Sequence, residues 1–120
     1  MEEYLEFEKL DVWQRAVAFA DRVMALSEQL NTDRKHFRII EQLESAATSI
    51  PLNIAEGKGR FHKKEYIQFL YYARGSAYEL VSLLEIFHRR NWIDTVTMAD
   101  IKKEAIIICK MLNALIRSIK

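Results

Sequence analysis

One segment of this 120-residue chain combines a run of cations with two glycines, and these residue types could bind an anionic ligand. The members of the run are Lys58, Arg60, His62, Lys63 and Lys64. Glycines let the backbone approach an anion closely, and the start of a following helix offers free N–H donors. The pattern predicts a phosphate site that does not read bases. Because two glutamates flank the run, the alternative is a solvated turn.

A stripe of polar residues inside an apolar segment is a second candidate. Ser49, Asn53 and Glu56 recur at helical spacing, so they would share one face of a helix. Burying such a stripe costs free energy unless each member finds a partner. We predict a polar network between two helices that joins Arg60 to Ser49, Asn53, Glu56, Ser76 and Glu79. The network either fixes register and oligomer geometry or forms a ligand site. Gly75 and Ser76 are expected where the helices approach closely.

The titratable residues offer no catalytic constellation. Glu85 and His88 have the Glu-x-x-His spacing of di-iron bundles, but such sites need a second copy of the motif, and we find none on the helices. We therefore predict a surface pair, no metal, no cofactor and no enzymatic activity. Cys109, the one cysteine, is expected to be a reduced, packed thiol, which suits a cytoplasmic protein.

Composition limits the fold class. Half of the residues are hydrophobic, yet only three are glycine and one is proline, too few turn formers for an all-β fold. No apolar run of about 18 residues exists, so we expect no membrane span. A net charge of +1 is mild for a nucleic-acid binder. We predict one domain over residues 1–120.

Apolar residues repeat every three or four positions in four segments, which predicts an all-α, antiparallel up-and-down four-helix bundle. The predicted helices span residues 10–30, 36–56, 62–90 and 97–119. The core stripe of the first helix is expected at Leu10, Trp13, Val17, Ala20 and Met24. Asp11 and Thr97 are expected as N-caps, Asn31 to Asp33 as a break, and Pro51 as a bend in the second helix.

The fourth helix is too apolar for a monomer that buries a single face. Its surplus comes from Ile106, Ile107, Met111 and Ile116, which widen the apolar stripe. Large exposed apolar patches usually mark interfaces. We therefore predict a homo-oligomer that uses these residues as its interface.

Several motifs, in this order, resemble one known family. They are Phe7-Glu8-Lys9-Leu10-Asp11-Val12-Trp13-Gln14, Gln42-Leu43, Ser49-Ile50-Pro51-Leu52-Asn53-Ile54-Ala55-Glu56-Gly57, Arg60, Phe69-Leu70 and Ala73-Arg74-Gly75-Ser76-Ala77-Tyr78-Glu79-Leu80. The family is that of four-helix-bundle proteins encoded by intervening sequences in bacterial 23S rRNA genes. The chain is also similar in architecture to the accessory variability protein of retroelements, which partners a reverse transcriptase and nucleic acid.

The resemblance implies a ring-like homopentamer without catalysis. It also implies RNA, DNA or a nucleic-acid enzyme as partner. One departure is that Glu44 and Ser45 stand where the family often has basic residues. Our reading is a pentameric scaffold that binds nucleic acid. The alternatives are a purely structural assembly and a bundle that binds a small ligand or a metal.

Overall fold

The computed structural model describes residues 3–30 and 36–120, which form helices and no strand. A 3-10 helix, Glu6–Lys9, precedes α1 (Asp11–Gln29), α2 (Phe37–Lys58), α3 (Lys63–Arg89) and α4 (Thr95–Ile119). These bounds differ from the expected ones by at most two residues. The expected break at Asn31 to Asp33 lies outside the described residues.

The four helices are antiparallel, and the predicted fold class is confirmed. Pairs of bonded residues show the directions, since later residues of one helix meet earlier residues of the next. Examples are Arg15–Glu104 and Arg22–Asp100, Ser49–Ser76, and Arg74–Asn113 with His88–Thr95. Around the bundle the order is α1, α2, α3 and α4, and α1 packs back against α4.

The predicted core stripe of α1 is confirmed at Ala20, which is buried, and Leu10 and Trp13 pack against the core, but the rest of the stripe is rotated. The buried residues are Val12, Ala16, Phe19, Ala20, Val23 and Ser27, whereas Val17 is 39% exposed and Trp13 and Met24 are half-buried. The helix carries two adjacent apolar stripes. The core accepts the one in which small Ala16 lets the helices approach while Phe19 fills the centre.

The end of α3 has a Schellman geometry. Asn91 adopts a left-handed conformation with φ 62°, which asparagine tolerates better than most residues. The N–H of Asn91 donates to the carbonyl of His88, and that of Trp92 donates to Phe87. The Trp92 and Phe87 rings are also in contact, with centroids 5.0 Å apart. The motif stops α3 and turns the chain toward α4.

The N-cap of α4 is Asp94, not Thr97. Its carboxylate accepts a hydrogen bond of 2.7 Å from the backbone N–H of Thr97, so the helix starts at Thr95. Asp11 is likewise not a cap, because it is the first helical residue of α1 and follows the N-cap Leu10. The observed N-cap therefore precedes the expected one by three residues at α4 and by one residue at α1.

α2 continues without interruption through Pro51, which is buried. Thr48, one turn earlier, donates its hydroxyl to the carbonyl of Glu44 at 3.0 Å. The bend at Pro51 stays a prediction.

The close approach of α2 and α3 occurs at Gly57, not at Gly75. A Cβ on Gly57 would lie 2.7 Å from the Cβ of Phe69 and 3.2 Å from the carbonyl oxygen of Tyr66. A Cβ on Gly75 would meet no atom of the described residues within 4 Å. Glycine is therefore required at the end of α2, whereas Gly75 faces open space on α3.

These two glycines predict opposite effects of the same substitution. Gly57→Ala should lower the free energy of unfolding by roughly 1–3 kcal/mol, because the added methyl group overpacks the contact with Phe69. Gly75→Ala should raise it by up to about 1 kcal/mol, because alanine favours the helix and meets no neighbour. Urea unfolding of both variants checks this; equal effects would contradict it.

The Asp94 cap predicts a pH dependence. The hydrogen bond from the backbone N–H of Thr97 lowers the pKa of Asp94. The charged cap therefore stabilises the fold above the ordinary pKa of the carboxyl, and that contribution is lost as the pH falls through the lowered pKa. Between about pH 5 and pH 2, the urea midpoint of unfolding should fall further for wild type than for Asp94→Asn, because asparagine can cap the helix without a charge. Identical profiles would contradict this.

Candidate functional site

The predicted cationic run lies at the turn between α2 and α3. Lys58 is the last residue of α2, and Lys63 and Lys64 are the first two residues of α3. All three side chains are exposed. Lys63 and Lys64 form no ion pair with any residue in the described ranges, and the ammonium of Lys58 lies 5.6 Å from the centre of the Tyr66 ring. The turn therefore presents cations that are not neutralised.

Arg60 is the exception in this run. Its guanidinium donates to Glu56 at 2.6 Å, lies 4.0 Å from Glu65, and stacks over the Phe69 ring at 4.7 Å. Two carboxylates and an aromatic ring therefore hold Arg60. It fixes the turn against α3 and is the member of the run least available to an anion.

The N-terminus of α3 adds positive potential at the same place. Its N-cap, His62, makes no side-chain cap hydrogen bond, so no side chain of the cap satisfies the first backbone donors. A helix N-terminus carries a partial positive charge, which Lys63 and Lys64 reinforce and Glu65 opposes. Lysines at the first two positions weaken the helix end, and a bound anion would relieve that repulsion.

Part of the predicted polar network forms within the chain. The hydroxyl groups of Ser49 and Ser76 share a hydrogen bond of 2.5 Å between α2 and α3. The amide of Asn53 donates to the carbonyl oxygen of Ser49 at 2.8 Å and to its hydroxyl at 3.0 Å. Ser76 also donates to the carbonyl of Tyr72 at 3.1 Å. All three side chains are half-buried, and the group joins the two helices near their middle.

The other expected members lie elsewhere. Glu56 is exposed and binds Arg60 at the turn, one helical turn beyond Asn53. Glu79 is exposed on α3 and has no hydrogen bond or ion pair within residues 3–30 and 36–120. Glu79 follows Ser76 by three residues on α3, but Ser76 bonds to Ser49 and Tyr72 instead.

Two polar features were not predicted. Ser27 is buried in α1, and its hydroxyl donates to the carboxylate of Glu44 on α2 at 2.5 Å. The hydroxyl of Tyr66, near Gly57, is buried without a hydrogen-bond partner among the described residues, and burial raises its pKa. Neither feature has a sequence signal, because each depends on which residue of another helix or turn comes close.

The predicted interface residues of α4 divide among three environments. Ile106 is 45% exposed and lines a groove between α3 and α4, whereas Ile107 is half-buried on the side of α1. Met111 is half-buried against the core. Ile116 is buried in the core with 3% exposure, so its assignment to an interface is wrong. Helical spacing from Ile108 and Leu112 turns Ile116 inward with them.

Glu85 and His88, which have the spacing of a metal-binding motif, bond to other residues and not to each other. Glu85 pairs with Arg89 at 3.2 Å, and His88 shares a hydrogen bond of 3.1 Å with Thr95. Within the described part of the chain, no three His, Cys, Asp or Glu side chains converge as metal ligands. Burial raises the pKa of the half-buried Cys109 thiol, and Arg74 opposes that shift.

The chain is similar to known proteins over most of its length. The model of a family described as 23S rRNA-intervening sequence protein matches residues 8–114. A crystal structure from Bacteroides thetaiotaomicron, of a protein with unknown function from the S23 ribosomal protein family, superposes with a TM-score of 0.81. The two share 28% sequence identity over 88% of this chain and 97% of that one. No protein with curated annotation matches the chain.

These comparisons confirm the family resemblance and the helical fold. Neither description names a catalytic activity. In addition, no α-helix within residues 3–30 and 36–120 is both long and apolar enough to cross a lipid bilayer.

The serine pair predicts energetic coupling between α2 and α3. In a double-mutant cycle, Ser49→Ala and Ser76→Ala should show a coupling energy of about 1 kcal/mol, because either substitution alone removes their shared hydrogen bond. The matched cycle of Asn53→Ala with Glu79→Ala should be additive, since no contact joins those side chains. Denaturant unfolding measures both cycles. Additivity in the serine cycle would contradict the link.

Proposed function

This chain belongs to the 23S rRNA-intervening sequence protein family, and from that premise we propose that it is a non-enzymatic, homo-oligomeric scaffold that binds nucleic acid. Its partner is RNA, DNA or an enzyme that carries nucleic acid. The number of copies that we propose is five, as the family resemblance implies. The proposed location is the cytoplasm.

The observation that carries the binding proposal is the pair Lys63 and Lys64. Both are exposed at the positive end of α3 without a carboxylate partner in the described residues. A phosphate placed there accepts from free backbone donors and sits between two ammonium groups. Phosphate contacts of this kind are made without base-edge contacts, so the binding is independent of sequence.

The oligomer multiplies this weak site. One turn with a few cations neutralises few phosphates, and its affinity is low at physiological salt. Several copies in one particle bind one polyanion with an avidity that exceeds the affinity of each turn. Exposed apolar residues such as Leu52, 67% exposed, and Ile106 support self-association.

The chemistry of α2 is consistent with placing the anion site at the turn. Glu44 stands where the family often has a basic residue, and here it accepts a hydrogen bond from Ser27 of α1. This carboxylate therefore binds two helices together and adds negative charge to α2. The basic contact with nucleic acid then depends on the turn at Lys58 to Lys64.

The names of the matched family and of the similar structure refer to 23S rRNA and to a ribosomal protein family. They are consistent with an RNA partner and identify none. A scaffold that only assembles is the alternative, and it has no affinity for polyanions.

The proposal predicts salt-dependent binding through the turn. A fluorescent 20-nucleotide RNA and a DNA duplex of the same length serve as probes in anisotropy titrations. For the duplex, the log–log slope of affinity against salt should be about −0.9 per phosphate neutralised. Lys63→Gln with Lys64→Gln should weaken binding and flatten that slope.

The matched control is Lys103→Gln, which removes one exposed lysine of α4 far from the turn. It should leave the affinity for both probes nearly unchanged. Flat titrations with wild type at low salt would contradict nucleic-acid binding and favour the structural alternative. Equal losses in the control would remove the turn as the site.

A further inference from the structure

The bundle has four lateral faces, and two opposite faces differ from the others. The cavities between α1 and α4, of about 220 and 260 Å³, are bordered by charged side chains such as Arg22 and Asp100, and α2 and α3 are in close contact. Between α1 and α4, Arg15 binds Glu104 at 2.8 Å, and Arg22 lies 3.9 Å from Asp100. Between α2 and α3, Ser49 binds Ser76, and α3 approaches closely at Gly57. Neither of these two faces presents a groove with mainly apolar walls among the described residues.

The face between α1 and α2 is an open apolar groove. Its volume is about 450 Å³, and its walls include Trp13, Val17, Pro51 and Leu52. Val17 is 39% exposed and Leu52 is 67% exposed, although both belong to helices that are otherwise well packed. Asp21 is the one charged residue in the lining within residues 3–30 and 36–120. The second apolar stripe of α1, which includes Val17, therefore lines this groove.

The face between α3 and α4 is a second groove, of about 310 Å³. Val81, Ile106 and Cys109 give it apolar walls, and Lys102 and Lys110 give it cations. Among the residues that the structure describes, no carboxylate lines this groove. Both grooves therefore have apolar walls, but the charged residues that line them have opposite signs.

We propose that the occupant of each groove is a second copy of this chain, and that copies pair head to tail. The α1/α2 groove of one copy packs against the α3/α4 groove of the next. The inference rests on the proposed homo-oligomer and adds which two surfaces meet. Complementary charge selects this pairing, because Asp21 of one copy then approaches the lysines of the other.

The same charges disfavour an interface in which two identical grooves face each other. Two α3/α4 grooves facing each other across a two-fold axis would bring Lys102 and Lys110 against their own copies, and like-charge contacts at an interface are costly. Two α1/α2 grooves would likewise oppose their Asp21 residues. Only the unlike pairing covers both apolar surfaces and brings charges of opposite sign together.

The position of the grooves fits an assembly that continues from copy to copy. Because the helices follow the order α1, α2, α3 and α4 around the bundle, the two grooves lie on opposite sides of it. A subunit with two different complementary surfaces forms a closed ring when the rotation closes, and a filament when it does not. A dimer would leave one groove of each copy uncovered.

Cysteine cross-linking tests the pairing, and the chain has only one native cysteine to remove. In a Cys109→Ser background, Leu52→Cys marks one groove and Ile106→Cys marks the other. With both cysteines present, a short bis-maleimide should give a ladder of products beyond the dimer. Each single-cysteine variant should give no cross-linked product, because identical grooves do not meet.

Light scattering separates this inference from the proposal on which it rests. Wild type should be larger than the 14.2 kDa single chain. Leu52→Glu and Ile106→Glu should each shift it toward that mass with unchanged helical circular dichroism. The control Val96→Glu, at a residue 70% exposed outside both grooves, should leave the mass unchanged.

Each outcome decides one of the two statements. A wild-type protein that stays monomeric at high concentration overturns the oligomeric scaffold itself. An oligomeric wild type in which single-cysteine variants cross-link to dimers overturns the head-to-tail pairing and leaves the scaffold. An oligomer whose mass is unchanged by Leu52→Glu and by Ile106→Glu also overturns the head-to-tail pairing and leaves the scaffold.

Discussion

The close contact of α2 with α3 is the constraint on which the remaining features depend. At Gly57 a methyl group would collide with Phe69, so the two helices meet closely only because that position has no side chain. This contact fixes the register in which the hydroxyls of Ser49 and Ser76 come together. It also fixes where the chain reverses, and therefore where Lys63 and Lys64 emerge at the start of α3.

Apolar surface is distributed unevenly around the four-helix bundle. One stripe of α1, which includes Phe19, enters the core, while the adjacent stripe with Val17 borders an open groove. On α4, Ile116 enters the core while Ile106 borders the opposite groove. Of the other two faces, the one between α1 and α4 is bordered by charged side chains, and the one between α2 and α3 is tightly packed. A bundle built in this way leaves apolar burial incomplete on two sides.

The charges of the turn separate into two functions. Arg60 is held by Glu56 and stacks on Phe69, so it stabilises the turn. Lys63 and Lys64 oppose the dipole of their own helix and have no carboxylate partner in the described residues, which is unfavourable for folding. A residue pair that weakens the fold while facing solvent is consistent with a role in binding.

The sequence alone determined the helical class, the antiparallel order and the ends of the helices to within two residues, because apolar period and short connections are local properties. It also determined the cationic turn, which is contiguous in the chain. Only the tertiary structure decided which apolar stripe of α1 is buried, that Ser27 meets Glu44 of α2, and that the close approach of α2 and α3 is at Gly57 and not at Gly75. Each of these depends on the rotation of one helix against its neighbours. That rotation is set by packing of side chains far apart in sequence, such as Gly57 against Phe69, and no local pattern records it.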